Sequence, residues 1–193
     1  SIASRSLYRG IGVDDYYDVG GGESAHIAFD PDNPVLIYAT TINGTLTEYD
    51  HDSGLQRSIV PYPELVYGMD SRDLQYRSNW NAPVAVSPHD PSVIYYGTQM
   101  VLRSTDRGTN WEEISPDLTR NDVSKQGRNG GPLTPENVGA EFYNTIFYIV
   151  ESPHDQGYIW AGSDDGLVHL SRDNGGSWDN VSPPHDGEAM INA

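Results

Sequence analysis

The chain has 193 residues, of which 28 are acidic and 11 are basic, so its formal net charge at pH 7 is −17. An acidic body of this kind repels phosphate backbones, and we therefore expect no nucleic-acid partner. The absence of cysteine excludes a disulfide framework and a thiolate metal site, and no apolar run is long enough to predict a membrane span.

Residues 1–24 form a lead-in segment. The stretch SIASRSLYRG lacks the cationic start followed by an apolar run that is typical of a signal peptide. The triplet Gly20–Gly22 has the composition of a phosphate-binding loop, but no helix is predicted after it, which excludes that function. We interpret the glycines as the point where the backbone enters the first repeat.

Three segments of the chain repeat one pattern, and they cover residues 25–60, 83–115 and 145–182. Each holds four short runs of β-type composition separated by turn residues, and helical periodicity is absent. Four antiparallel strands per repeat predict an all-β fold, a β-propeller segment of about three four-stranded blades. Equivalent places are held by Ile37, Ile94 and Ile159.

Two repeats carry the octet Ser-x-Asp-x-Gly-x-x-Trp between their third and fourth strands, whereas the first repeat has no closing tryptophan. Within such a turn, Ser and Asp can accept backbone N–H bonds, Gly can take a positive φ and Trp can lie across the turn. We therefore interpret the octet as a repeated hairpin turn and not as a repeated reactive site. Its fixed positions are Ser104, Asp106, Gly108, Trp111, Ser171, Asp173, Gly175 and Trp178.

The strings RSTDRGTNW and LSRDNGGSW resemble the Asp-box, or bacterial neuraminidase repeat, at every fixed position. Together with the surrounding repeats, they resemble large exported bacterial proteins of the sortilin-like and glycosyl hydrolase-like kind, over about residues 14–192. The resemblance implies a β-propeller, a parent protein several times longer, and a secreted, periplasmic or cell-surface location. It does not imply an activity, because a fold does not fix a function.

Two long insertions, 61–82 and 116–144, join the repeats. In a propeller they lie on the face opposite the octets, and loops of this length usually have a function of their own. Arg57 and Arg103 are expected near this face. The candidate binding residues in the insertions are Arg72, Arg77, Trp80, Arg120, Lys125, Arg128, Glu141 and Tyr143.

The cations of the insertions allow two interpretations. They can hold an anionic group such as a carboxylated sugar, or they can neutralise the surrounding acids, and we favour the second. Glu141 and Tyr143 have the residue types of a sialidase nucleophile pair, but the Arg-Ile-Pro phrase of that family is missing. We therefore assign no catalytic residue.

The dipeptide Asp164-Asp165 before Gly166 also has two interpretations. Adjacent carboxylates can bind Ca²⁺, but Asp-Asp-Gly is equally the sequence of a tight turn. We favour the turn and expect no metal and no cofactor, with Ca²⁺ as the alternative.

Three blades cannot close a propeller, for which four or more are usual. Residues 183–193 resemble the connection to another blade, so we expect partners among other blades of the same parent protein or neighbouring chains. The leading hypothesis is a non-catalytic binding or scaffold segment that recognises a protein, a peptide or a glycan through its loop face. The alternatives are a glycoside hydrolase completed by other blades and an architectural subunit of a larger assembly.

Overall fold

The structure is a computed structural model that describes residues 2–4, 10, 12–23, 26–127 and 138–184. The candidate residue Arg128, part of the second insertion and most of the segment 183–193 lie outside the described residues.

Three four-stranded antiparallel sheets follow one another along the chain, and in each the strands are paired in sequence order. Blade 1 consists of β3 (Ile27–Phe29), β4 (Leu36–Thr41), β5 (Thr45–Asp50) and β6 (Leu55–Ser58). Blade 2 consists of β7 (Val84–Val86), β8 (Ile94–Gly97), β9 (Val101–Ser104) and β10 (Glu112–Glu113). Blade 3 consists of β11 (Ile146–Glu151), β12 (Ile159–Ser163), β13 (Val168–Ser171) and β14 (Asp179–Asn180).

Two further strands, β1 (Ile2–Ser4) and β2 (Tyr16–Asp18), pair as a small antiparallel sheet ahead of blade 1. Helical structure in the described residues is confined to three short 3₁₀ turns, Val13–Asp15, Ser71–Asp73 and Val123–Lys125. The predicted all-β propeller segment of three four-stranded blades is confirmed.

The strands alternate their side chains between two faces of each blade, as the two-residue period of a strand requires. We call the face that looks toward the next blade the front face and the other the rear face. In blade 1, Tyr38 and Leu46 lie on the front face, packed against blade 2, whereas Ala39 and Thr47 lie on the rear face.

The hydrophobic core is divided between the two blade boundaries. A third, small cluster under the first insertion contains Val66, Leu74 and Phe142. Burial of this apolar area holds the blades face to face, since each blade alone has two apolar faces and no core of its own. The first boundary buries Ala28, Tyr38, Leu46, Ile59, Ala82, Val84, Ile94, Tyr96 and Leu102, and the second buries Tyr95, Val101, Ile114, Leu118, Ile146, Ile149, Ile159 and Ala161.

The two octets form the same turn with the same hydrogen bonds. Ser104 Oγ accepts from the backbone N–H of Gly108 at 2.8 Å, and Ser171 Oγ accepts from that of Gly175 at 2.8 Å. Both glycines have a positive φ, 76° and 92°. We call residues 104–111 and 171–178 the octet turns.

The tryptophans of the octet turns make contacts beyond their own turns, which the sequence did not predict. Trp111 Nε1 donates to the carbonyl of Ile59 in blade 1 at 3.0 Å, and Trp178 Nε1 donates to that of Ile114 in blade 2 at 2.7 Å. Each indole therefore joins its blade to the preceding one.

The rear face of blade 1 is covered in its middle by residues 16–22, which we call the strap. Val19 is buried, and an added Cβ on Gly20 would lie 2.6 Å from Thr47 Oγ1. The Tyr17 ring stacks on His51 with ring centroids 5.4 Å apart. The glycine-rich run thus lets the backbone lie directly on the sheet.

Candidate functional site

The two insertions and the turns between the second and third strands of the blades meet on one side of the molecule, which we call the loop face. Asn43 Nδ2 in the blade 1 turn donates to Tyr67 OH at 3.0 Å. The Leu118 N–H donates to the Gln99 carbonyl in the blade 2 turn at 3.0 Å. The octet turns lie at the other end of the strands, as predicted.

A groove of about 200 Å³ opens on the loop face, between the β4–β5 turn and the first insertion. Phe142 of the second insertion closes its floor together with the buried side chains of Val66 and Tyr96. The groove thus has a hydrophobic interior and a polar mouth. Its lining consists of Asn43, Gly44, Thr45, Val60, Pro61, Tyr62, Pro63, Glu64, Val66, Tyr76, Ser78, Tyr96 and Phe142.

The first insertion exposes four large apolar side chains, which we call the apolar rim: Tyr62, Leu65, Tyr67 and Met69. Tyr62 also lines the groove, and Tyr67 bonds to Asn43 of the groove lining. The two tyrosines are 54% and 55% exposed, and Pro61 and Pro63 restrict the backbone on either side of Tyr62. An apolar cluster of this kind on an acidic surface marks a contact site more often than a lone exposed residue does. Sequence reasoning had missed it, although the run PYPELVYGM is the signal.

The electrostatics of the groove are acidic. The lining includes one acid, Glu64, whose Oε1 accepts from the Gln75 N–H at 3.0 Å, and no lysine or arginine among the described residues. The Tyr76 hydroxyl donates to Glu113 Oε1 at 2.8 Å, and burial, together with that carboxylate, raises the pKa of Tyr76 to about 12. Tyr76 therefore stays protonated at physiological pH.

The predicted cations of the first insertion are engaged with acids. Arg72 forms an ion pair with Asp70. Arg77 is buried, and its Nη2 lies 2.6 Å from Asp117 Oδ2 while its Nε donates to the carbonyl of Asn144 at 3.3 Å. Arg77 therefore ties the two insertions together.

The predicted cations of the second insertion are engaged in the same way. The Arg120 backbone N–H donates to Asp165 Oδ2 at 2.7 Å, and its Nε donates to the Asp165 carbonyl at 2.8 Å. Lys125 Nζ lies 3.8 Å from Asp122 Oδ2 and 5.3 Å from the ring centroid of Tyr143. The Lys125 ion pair favours the interpretation that the cations neutralise neighbouring acids. The Arg120 guanidinium binds a backbone carbonyl and so fixes the Asp165 turn.

Arg57 and Arg103 do not lie near the loop face, which corrects that expectation. Arg57 binds Glu48 and donates to the carbonyl of Arg107 in an octet turn. Arg103 Nη1 donates to the carbonyl of Asn174 in the other octet turn at 3.1 Å. Both arginines therefore form contacts across the blade boundaries.

Of the remaining candidates in the insertions, Glu141 pairs through its backbone with Asn79 in an isolated antiparallel bridge. Trp80 follows directly, partly buried in the adjoining turn, and Tyr143 is partly buried near Lys125. Glu141 thus belongs to the contact between the insertions, whereas the Tyr143 contact lies within the second insertion.

Asp164 and Asp165 are buried and form the tight turn between β12 and β13. Asp164 accepts from the backbone N–H and the hydroxyl of Thr145, both at 3.0 Å. Burial raises the pKa of Asp164 to about 6, although the Thr145 bonds act in the opposite direction.

Asp165 is bound on both oxygens, by Ser163 Oγ at 2.5 Å, by Asn144 Nδ2 at 2.6 Å and by the Arg120 N–H. A cation at this turn would have to displace these donors. In the part of the chain that the structure describes, no group of three His, Asp or Glu side chains is placed to hold a metal ion.

Asn144, which sequence reasoning did not single out, is the centre of this network. It is fully buried with a φ of 61°, and its Oδ1 accepts from Gln126 Nε2 at 3.1 Å. The network fixes the second insertion against blade 3, because each buried polar group finds a partner only in this arrangement.

No helix among the described residues has the length and hydropathy to cross a membrane.

Comparison with known proteins gives the fold. No family model matches the chain, and no curated protein matches it. Among solved structures, an ancestral GH74 enzyme aligns with a TM-score of 0.52 and 18% identity, over 90% of this chain and 20% of that chain. At this identity the likeness shows the propeller fold alone.

Two further structures are similar to a lesser degree. A GH74 xyloglucanase from Xanthomonas campestris aligns with a TM-score of 0.49 and 18% identity, over 84% of this chain and 23% of its own. YCF48 bound to D1 peptide aligns with a TM-score of 0.48 and 15% identity, over 87% of this chain and 42% of its own. The chain thus spans less than half the length of each of these proteins.

Proposed function

We propose that the chain is a non-catalytic binding segment of a longer, exported propeller protein of the Asp-box, sortilin-like class. The two octets, which match the Asp-box at every fixed position, support the class and with it the location outside the cytoplasm. The binding surface is the groove of the loop face together with the apolar rim.

The observation that carries this proposal is the apolar rim beside a preformed groove. Tyrosine and methionine are enriched at the cores of protein interfaces, and clustered exposed aromatics are typical anchors for a partner. The groove, at about 200 Å³, is of a size to admit one large side chain of a partner and not a whole drug-sized molecule.

The charge of the surface selects the class of partner. The body carries a net charge of −17, and the groove mouth holds Glu64 without a lysine or arginine among its described residues. An anionic sugar would be repelled, whereas a basic peptide segment is attracted and steered to the loop face. We therefore assign the groove to a peptide segment of a partner protein, with a neutral glycan as the competing ligand.

The platform under the rim is rigid, which favours recognition without a large ordering cost. Arg77 holds the first insertion to Asp117 and Asn144 of the second, and Asn79 Nδ2 donates to the Phe142 carbonyl at 3.1 Å. Phe142 is thereby fixed at the floor of the groove.

A glycoside hydrolase needs two carboxyl groups that both reach the scissile bond. Asp164 and Asp165 are the closest adjacent acids on the loop face side, but both are buried and bound by protein donors. They hold the turn and the second insertion, and this favours binding over hydrolysis.

The test is a binding measurement on arrays of basic peptides and of neutral oligosaccharides, with the 193-residue chain as the probe. We expect peptides to be retained, and we expect Tyr62→Ala and Tyr67→Ala each to weaken retention about tenfold, which corresponds to about 1.4 kcal/mol.

Tyr16→Ala is the matched control, because Tyr16 is 52% exposed on β2, away from the groove. Retention that survives both rim substitutions, or that falls equally in the control, contradicts the proposal. Retention of oligosaccharides alone would replace the peptide with a glycan.

A further inference from the structure

The two blade boundaries are made by the same contacts. In both, the tryptophan of an octet turn donates to a carbonyl of the preceding blade, from Trp111 to Ile59 and from Trp178 to Ile114. Ile59 and Ile114 follow the last strand of their blades at equivalent positions.

The octet glycine packs on the same isoleucine. A Cβ added to Gly108 would lie 2.7 Å from Ile59 Cβ, and one added to Gly175 would lie 2.8 Å from Ile114 Cβ. Only glycine therefore lets the octet turn approach the preceding blade closely enough for the indole to reach the carbonyl.

Blade 3 presents the same acceptor. The Val181 N–H donates to the Val168 carbonyl at 2.9 Å, as the Ile114 N–H donates to the Val101 carbonyl at 3.0 Å. The isoleucine or valine at this position is thus held in the same geometry in both blades, and the carbonyl of Val181 corresponds to that of Ile114.

The serine after this position repeats as well. Ser182 Oγ accepts from the Val168 N–H at 2.9 Å, and Ser115 Oγ accepts from the Val101 N–H at 2.8 Å. In both blades a proline follows the serine. The end of blade 3 is therefore built like the end of a blade that has a successor.

The front face of blade 3 leaves two large apolar side chains exposed where the front faces of the other blades are buried, although Leu170 on the same face is itself buried. Strand register places Trp160 at the position of Tyr38 in blade 1 and Tyr95 in blade 2. Tyr38 and Tyr95 are 2% and 1% exposed, whereas Trp160 is 41% exposed. Val150, beside Trp160 in the sheet, is also exposed.

From these repeats we infer that the front face of blade 3 is a docking surface for a further propeller blade that carries an octet turn closed by tryptophan. The indole of that turn donates to the Val181 carbonyl, its glycine packs on Val181, and its rear face covers Trp160 and Val150. The surface is continuous with two established boundaries of the same kind.

A second copy of this chain does not fit as the occupant. Its blade 1 has Gln56 at the register position of the octet tryptophan, since Glu48 pairs with Arg57 as Arg103 pairs with Glu112. The strap also lies on the rear face that would have to dock. The occupant is therefore a blade that this chain does not contain.

The test extends the chain by one blade. A second copy of residues 117–184 is placed directly after Pro183, so that it continues the Ser-Pro junction, and this second copy carries Trp160→Phe to keep the original Trp160 identifiable. Hydroxyl-radical footprinting with mass spectrometry then reads the oxidation of the original Trp160. We expect its oxidation to fall from the level of an exposed side chain to that of Tyr95.

The matched control is the same extended chain with Trp178→Ala in the second copy, which removes the indole donor but keeps the blade sequence. We expect Trp160 oxidation in the control to return toward its level in the 193-residue chain. The inference is overturned by unchanged oxidation of Trp160 in the extended chain, whether the second copy fails to dock or fails to fold. It is also overturned by equal protection in the control, or by a 193-residue chain that already protects Trp160 in a homo-oligomer by light scattering.

Discussion

The rear face of blade 1 and the front face of blade 3 are the two outer faces of the three-blade arc, and they differ in how far other parts of the chain cover them. On blade 1, the strap buries Ala39 and Thr47, with Val19 and Gly20 lying against the sheet. On blade 3, Trp160 and Val150 stay exposed, while Leu170 beside Trp160 is buried. An apolar sheet face must be covered by something, and here the chain supplies a local segment at one end only.

The strap is a partial cover. Ile27 and Phe29, on the same rear face, are close to half exposed. The strap therefore shields the middle of blade 1 and leaves the β3 edge accessible. Both outer faces thus leave some apolar area exposed, and they differ in the amount. They differ more in their contacts, because of these two faces only the front face of blade 3 has a carbonyl held in the geometry of a blade boundary.

The largest expected effect is the difference in stability lost when a tryptophan is removed from a blade boundary and when one is removed from the exposed front face of blade 3. Trp178→Ala removes the indole bond to Ile114 and its packing in the second boundary, and we expect a loss of about 3 kcal/mol in the free energy of unfolding. Urea denaturation followed by circular dichroism measures it. Trp160→Ala is the matched control and is expected to cost less than about 1 kcal/mol, as for a surface position; equal losses would show that blade 3 is not open.

The next prediction tests whether Asp164, on the loop-face side of blade 3, is buried although the front face of the same blade exposes Trp160. The pKa of Asp164 rises from 3.8 to about 6 on folding, so the protonated form favours the folded state and the contribution is lost as pH rises through 6. Between pH 4 and 7 we expect the wild type to lose about 2 kcal/mol more stability than Asp164→Asn. Parallel denaturation at the two pH values gives this difference, and identical pH profiles would contradict a buried Asp164.

A smaller effect concerns the charged contact at the first boundary. Glu48 is buried and binds Arg57 at 2.9 Å and Arg107, from the octet turn of blade 2, at 2.7 Å. Burial alone would raise the pKa of Glu48, but the two arginines outweigh it and lower the pKa below 4.5. The stabilisation is therefore present above that pH and lost as pH falls through the lowered pKa.

For Glu48→Gln we expect a loss of about 1.5 kcal/mol at pH 7, which shrinks toward pH 3. Denaturant titration of both proteins across this range measures it. The exposed acid Glu112, paired with Arg103, offers a control in Glu112→Gln, which should cost less than about 0.5 kcal/mol. A loss for Glu48→Gln that does not depend on pH would argue against the ion pair as its cause.

The smallest effect tests the strap. Gly20 and Gly10 have similar positive φ values, 90° and 95°, but a Cβ at Gly20 would meet Thr47 whereas one at Gly10 would meet nothing within 4 Å. Alanine at either position carries the same backbone strain, so the difference between the two variants reports the packing of the strap. We expect Gly20→Ala to be less stable than Gly10→Ala by about 1 kcal/mol in thermal or urea denaturation, and no difference would mean that the strap does not lie on blade 1 in solution.

Much of the fold was predictable from the sequence, because turn chemistry and strand alternation are local. The octets predicted two identical hairpin turns, and Gly108 and Gly175 take the positive φ that was expected. Each of the three repeats, 25–60, 83–115 and 145–182, holds the four strands of one sheet. Where a side chain bonds across a boundary, local reasoning failed, and Trp111 is the clearest case.

The candidate site was predicted less well. The cations of the insertions were candidate binding residues, with neutralisation of the surrounding acids as the favoured interpretation. In the structure Arg77 is buried and Arg120 holds the Asp165 turn. The apolar rim was missed because Tyr62 and Tyr67 read as ordinary loop aromatics until the fold placed them beside a groove. Charge counts do not show which acid neutralises which base.

The sequence by itself determined the blade, with its four short strands, their order, and the octet turn between the third and fourth strands of blades 2 and 3. These features follow from propensities and hydrogen bonds over a few residues. Only the tertiary structure decided how blades are joined and which faces are covered. Trp178 reaches Ile114 across 64 positions of sequence, and the strap covers a sheet of which it is not a strand. Such contacts depend on the close approach of distant surfaces, which no local pattern encodes.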